Sequence, residues 1–132
     1  MSTKESEQWE TVVEGKAKML LPDRTVFYNP AQEFNRDLSI SVLRTFVKIK
    51  AEVSDEEALT VDSNDAFPPE KKRLKTDKTG WSKGLRVLEA LAASGLRSVR
   101  FALEVPGLKT VVANDFSESA MTWIKRNIEG NN

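Results

Sequence analysis

Residues 84–116 read GLRVLEALAASGLRSVRFALEVPGLKTVVANDF, and this stretch decides the fold. Arg86 to Leu91 is a short apolar run, the pattern of a strand covered on both faces. A tight turn follows at Ser94-Gly95, then a helix that stops at Pro106-Gly107, then a second strand over Thr110 to Ala113 with Asp115 just beyond it. In the helix, Leu96, Val99 and Leu103 fall at i, i+3 and i+7 and form the expected buried stripe, while Arg97, Arg100 and Glu104 repeat that spacing on another face. The whole is a β-α-β unit of the kind that binds nucleotides. Asp115 lies 20 residues past Gly95, where a carboxylate at a strand tip accepts hydrogen bonds from ribose hydroxyls. An adenosine-containing cofactor is therefore expected.

The glycines narrow that expectation. A dinucleotide site uses several of them, so that backbone can approach a pyrophosphate and the helix can pack closely. Here the turn holds Gly95 alone, and the Cβ atoms of Ala92, Ala93 and Ser94 oppose the closest approach to a diphosphate. S-adenosylmethionine carries no phosphate and suits such a turn better, which disfavours a nicotinamide-dependent dehydrogenase. Spacing alone does not separate this reading from any other β-α-β unit with a small-residue turn.

Downstream, Ser117 reads as a helix cap with Glu118 in the first turn, where negative charge suits the helix dipole. Ala120, Ile124 and Ile128 form the expected inward stripe, Trp123 is expected to pack, and Gly130 stops the helix. Upstream, Thr11 to Val13 and Ala17 to Leu21 flank Glu14-Gly15-Lys16 as a hairpin, with Lys16 and Lys18 on an exposed edge. Asn29-Pro30 starts a helix expected to run to about Lys50, its buried face marked by Phe34, Leu38, Val42, Phe46 and Ile49, with Asp37, Ser41, Arg44 and Lys48 turned to water. Beside that apolar face, the Arg36 guanidinium is able to hold the carboxylate of a cofactor's methionine end as a bidentate pair. Residues 51–83 change character to mixed charge and low hydrophobicity and read as a disordered insertion. Within it, Pro68-Pro69 precede Lys71, Lys72, Arg73 and Lys75, a basic cluster that reads as a nuclear-import signal for an import receptor.

The chain has 132 residues, equal numbers of basic and acidic side chains, and no cysteine or histidine. Disulfides, thiol nucleophiles, histidine bases and the common zinc sites are thereby removed, and the overall charge announces no nucleic-acid partner. The acid-containing amino terminus lacks the character of a mitochondrial presequence, and no apolar run reaches the length of a membrane span. A soluble, intracellular protein is expected.

Several short motifs, in order, resemble one family. Residues 88–102, LEALAASGLRSVRFA, are similar to the cofactor motif of the tRNA (guanine-26 N2)-dimethyltransferases, and Val112-Ala113-Asn114-Asp115 and Ile124-Lys125-Arg126-Asn127 resemble the segments that follow it. Glu14-Gly15-Lys16-Ala17-Lys18, Val26-Phe27-Tyr28-Asn29-Pro30 and Glu33-Phe34-Asn35-Arg36-Asp37 resemble that family's amino-terminal signature. The resemblance implies an α/β chain with a partial class I, Rossmann-like methyltransferase fold and an amino-terminal hairpin and helix. Three regions follow: 1–50 with the hairpin and helix, 51–83 as the insertion, and 84–132 as the first βαβα unit of the cofactor domain. It implies S-adenosylmethionine-dependent mono- and dimethylation of guanine 26 in tRNA, and the basic cluster puts this in the nucleus, with mitochondrion or cytoplasm left open. It implies cofactor contacts from Arg36, from Arg97 or Arg100, and from Asp115, above the turn Ala93-Ser94-Gly95. The family's Asp-Pro motif and RNA-contacting carboxyl-terminal domain are absent, so an amino-terminal part of the enzyme is expected, inactive and poorly stable alone. The alternative is a non-catalytic product that binds cofactor or a partner.

Overall fold

The computed structural model describes residues 9–21, 28–59 and 84–132. The basic cluster Lys71, Lys72, Arg73 and Lys75 lies outside them, as do Val26 and Phe27. The element order is β1 (Glu10–Glu14), β2 (Ala17–Leu21), a 3₁₀ turn (Pro30–Gln32), α1 (Glu33–Leu59), β3 (Leu85–Glu89), α2 (Leu96–Glu104), β4 (Leu108–Ala113) and α3 (Glu118–Glu129). β1 and β2 pair antiparallel, and β3 and β4 pair parallel with Val87 beside Val111 and Glu89 beside Ala113.

Local chemistry explains the element ends. Glu14 pairs with Ala17, leaving Gly15-Lys16 as a two-residue hairpin loop with Gly15 at φ +54°, which a glycine supplies without strain. Asn29 Oδ1 accepts from the Ala31 amide at 2.9 Å and Pro30 opens the 3₁₀ turn, as the Asn29-Pro30 signal predicts. Ser117 caps α3, and Gly130 ends it. The strands are offset from expectation, β3 spanning Leu85–Glu89 rather than reaching Leu91, and β4 beginning at Leu108 rather than Thr110.

Two apolar clusters hold the elements together. Ala17 and Met19 of β2 meet Leu96 and Val99 of α2, with Tyr28 against them. Ile40 of α1 meets Phe101 and Val105, joined by Leu43, Val47, Val87, Leu108 and Val111. Each fully buried side chain of this size contributes about 1.5–3 kcal/mol. The outer edge of β2 is closed by side chains rather than by a strand. The amides of Lys16, Lys18 and Leu20 donate to Glu104 Oε1 at 3.0 Å, Asn131 Oδ1 at 2.9 Å and Asn127 Oδ1 at 2.7 Å.

The α1 expectation is corrected in face and in length. Phe34, Leu38, Val42, Phe46 and Ile49 are exposed, Phe34 at 72%, and the inward stripe is Arg36, Ile40, Leu43 and Val47. The sequence offers two apolar stripes on nearly opposite sides of this helix. The one chosen carries Arg36 and is flanked by Asp37 and Arg44, which bond to Arg100 and to the Glu104 carbonyl instead of facing water alone. The helix also continues past Lys50 to Leu59, into the segment expected to be disordered. In α2, Leu103 is 36% exposed while Arg100 and Glu104 are buried, because that face meets the hairpin and α1. In α3, Trp123 and Asn127 are buried and Ile128 is not. The strands alternate rather than being covered twice, since Val87 and Val111 join the second cluster while Leu88 and Val112 are exposed. Among the described residues, no helix is long and apolar enough to cross a membrane.

Candidate cofactor cleft

β3 and β4 end side by side, and the chain leaving β3 folds into a turn over their carboxyl ends. Ala92 donates to the Asn114 carbonyl at 2.9 Å, and Asn114 Nδ2 donates to the Ala90 carbonyl at 3.0 Å. Ala93 takes φ +50°, a left-handed conformation that costs an alanine about 1–2 kcal/mol. Its amide is held by Asp115 Oδ2 at 2.8 Å, and Asp115 Oδ1 accepts from the Ser117 amide at 3.0 Å. These backbone donors, Ser117 first, hold the Asp115 carboxyl below the usual aspartate range, so it stays ionised. Gly95 follows at φ +81°; a Cβ there would lie 3.4 Å from the Ile124 Cα, so its small size serves the approach of α3.

A cleft of about 110 Å³ opens beside this turn, lined by Arg36, Glu89, Leu91, Ala92, Ala93, Ser94, Leu96 and Arg97. Arg36, Ser94 and Arg97, three of the expected site residues, therefore share it, while Asp115 and Gly95 stand outside its lining. Arg100 does not line it: its guanidinium lies between Glu14, Glu104 and Asp37 at 2.8, 2.8 and 2.7 Å. Of the two motif arginines left open by the sequence, the cleft takes Arg97.

Glu89 was not among the expected site residues. It ends β3, accepts from Ser98 Oγ, and has Arg97 Nε at 3.7 Å. Burial pushes its carboxyl above the ordinary range, against the Ser98 bond and the nearby guanidinium charges. The available signal was an acidic residue closing an otherwise apolar strand beside the turn. Glu14, far away in sequence, is the second residue missed. It accepts from Arg36 Nε at 2.7 Å and Nη2 at 2.5 Å, and from Arg100 Nη1 at 2.8 Å. Its burial alone would raise its carboxyl, yet the hydrogen bonds from Arg36 and Arg100 win and hold it low.

These groups fit an amino-acid end on a ligand. Arg97 Nε is buried with no hydrogen-bond partner, and Arg36 Nη1 has none among the described residues, so one unpartnered donor on each guanidinium is left for a carboxylate; the bidentate grip expected of Arg36 is not available, because Glu14 holds its Nε–Nη2 edge. Glu89 supplies an acceptor for an ammonium in the same cleft. The small turn leaves room alongside, and ionised Asp115 retains lone pairs for hydroxyls.

A parallel β-α-β-α unit with its cleft at the strand ends is how Rossmann-like domains open, the class I methyltransferase fold among them. The profile of the family described as N2,N2-dimethylguanosine tRNA methyltransferase matches residues 8–132, and the chain belongs to that family. It is 45% identical over 92% of its length to the tRNA (guanine(26)-N(2))-dimethyltransferase of Mus musculus and 43% identical over 92% to that of Homo sapiens. Trm1 from Pyrococcus horikoshii, solved in complex with S-adenosyl-L-methionine, matches 93% of the chain at 32% identity with a TM-score of 0.61. The chain spans 22% of each mammalian relative and 24% of the archaeal one.

Proposed function

We propose that this chain contributes the S-adenosylmethionine cleft of a tRNA guanine-26 N2-dimethyltransferase. The observation that carries the reading is the meeting of Arg36, Arg97 and Glu89 in one cleft beside the Ala93-Ser94 turn and Asp115. A methionine end bears a carboxylate and an ammonium, and the cleft offers donors and an acceptor to match. Arg36 and Arg97 would hold the carboxylate, Glu89 the ammonium, Ala92 to Ser94 the adenosine side, and Asp115 the ribose hydroxyls. Arg100 is assigned to holding Glu14 and Glu104 instead. When bound, the cofactor supplies a methyl group on a sulfonium for transfer to the guanine amine. The residues of this chain orient it and keep its charged end out of water. The family membership and the likeness to Trm1 support the same substrate, tRNA.

Equilibrium dialysis of the full chain tests the reading. Saturable binding of S-adenosylmethionine with none of NAD is expected, and the reverse preference, or binding of neither, would overturn it. Nuclear import through Lys71, Lys72, Arg73 and Lys75 is supported by the sequence run alone. Alanine at Lys71, Lys72 and Arg73 should shift a fluorescent fusion out of the nucleus while cofactor binding stays unchanged, and an unaltered nuclear fraction would sink the import role.

A further inference from the structure

We infer that Glu14, in the amino-terminal hairpin, is a positioning residue for the cofactor's carboxylate, acting through Arg36. The inference rests on the cofactor reading above and goes beyond it to a residue that does not line the cleft.

The geometry begins at Glu14. Its two carboxylate oxygens take the Nε and Nη2 edge of Arg36 at 2.7 and 2.5 Å, a side-on fork that fixes the plane of the guanidinium. Nη2 also donates to the Asn29 carbonyl at 3.2 Å, and the Tyr28 ring lies 5.6 Å from the guanidinium carbon. With that edge engaged, Nη1 is the remaining donor, and Arg36 lines the cleft. A free arginine has many rotamers, so a fixed plane reduces what must be ordered when an anion binds.

Glu14 is itself fixed from the other side. Arg100 Nη1 donates to its Oε1 at 2.8 Å, while Arg100 Nε and Nη2 donate to Glu104 at 2.8 and 3.2 Å. Glu14, Arg36, Arg100 and Glu104 are all at least nine-tenths buried. Such a network does not need to be the most stabilising filling of that volume, since desolvation offsets much of its attraction. What apolar residues of equal size would lack is the fixed donor edge at the cleft. The hairpin therefore reaches the cofactor through one salt bridge.

The test compares two ligands in the full chain: S-adenosylmethionine and its decarboxylated analogue, which keeps the adenosine, the sulfonium and the amine. Glu14→Gln can accept at only one of its two side-chain atoms, so the fork to Arg36 breaks and one amide N–H faces a guanidinium. We expect S-adenosylmethionine to bind roughly tenfold or more weakly to this variant, and the analogue to change by less than about threefold. An equal loss for both ligands would mean that Glu14 is merely structural, and an unchanged affinity would overturn its role altogether. A wild-type chain that binds neither ligand defeats the cofactor reading, a distinct outcome that takes this inference with it. Should Glu14→Gln not fold, nitrogen-15 arginine spectra of the wild type decide. The Arg36 Nε–H signal should be protected before ligand is added, and the Arg36 guanidinium should shift with S-adenosylmethionine but not with the analogue. An Nε–H that exchanges freely, or equal shifts with both ligands, would overturn the inference.

Discussion

Both oxygens of Asp115 accept backbone amides, from Ala93 at 2.8 Å and from Ser117 at 3.0 Å, and each keeps a lone pair for a ligand hydroxyl. One side chain thus holds the strained Ala93 turn and, on the proposed reading, also meets the ribose. Asp115→Ala should weaken S-adenosylmethionine binding roughly tenfold or more, through the loss of two charge-assisted hydrogen bonds. Titration calorimetry checks this, and an unchanged affinity with intact fold would remove Asp115 from the site. Gly15 presents the opposite case, a residue whose value is the atom it lacks. A Cβ there would fall on Glu104 Oε1 and lie 2.7 Å from Arg100 Nε, at a φ of +54°. Gly15→Ala should cost at least about 1–2 kcal/mol from the left-handed backbone alone, with the displaced ion pairs added. Gly15→Asn separates the two causes in thermal melts, because asparagine tolerates that φ but brings the same Cβ.

At the scale of the element, α1 is the sharpest lesson in what sequence can carry. Its start was legible, since Asn29-Pro30 acts locally, and so were the hairpin around Gly15 and the cap at Ser117. Its buried face was not. Helical spacing admits both stripes, and the choice was made by partners distant in sequence, Glu14 at the hairpin and Arg100 on α2. The same limit explains the rest of the site: Arg36, Ser94 and Asp115 stood in recognisable local patterns, whereas Glu14 acquires its role only when the hairpin folds back. Arg97 and Arg100 share one helix and differ only in what faces them. Denaturant unfolding tests the face directly. Ile40→Ala should cost about 2–5 kcal/mol, as a buried large-to-small change, while Val42→Ala on the exposed stripe should stay within about 0.5 kcal/mol. Equal losses at both positions would mean that the outer stripe is covered in solution.

For the whole molecule, the buried carboxylates make stability depend on pH in two opposed ways. Hydrogen bonding from Arg100 holds Glu104 below the ordinary glutamate range, and Glu14 is also held low despite its burial. Groups with a lowered folded pKa bind fewer protons folded than unfolded, so their contribution is present above the unfolded value of about 4.3 and is lost as pH falls through the folded values. The melting temperature should therefore drop on acidification below about pH 4–5. Asp115, also held low, acts in the same direction. Glu89 has the reverse sign. Burial raises its folded pKa, so it binds more protons folded than unfolded, and its contribution is full below the unfolded value and declines as pH rises through the folded one. Ionising Glu89 in the cleft therefore costs the fold, and a cationic ligand group beside it would offset that cost. Glu89→Gln keeps an oxygen for Ser98 Oγ and removes the charge. Its melting temperature should equal or exceed that of the wild type near pH 8, with the advantage shrinking toward pH 4, while affinity for S-adenosylmethionine falls roughly tenfold or more with the loss of a charged acceptor. Melting curves from pH 3 to 8 on both proteins read the first effect and dialysis the second. Parallel pH profiles for the two would show that Glu89 is not raised by burial. A stabilised variant with unaltered affinity would show that it does not meet the ammonium, leaving Arg36 and Arg97 as the only charged contacts proposed at the amino-acid end.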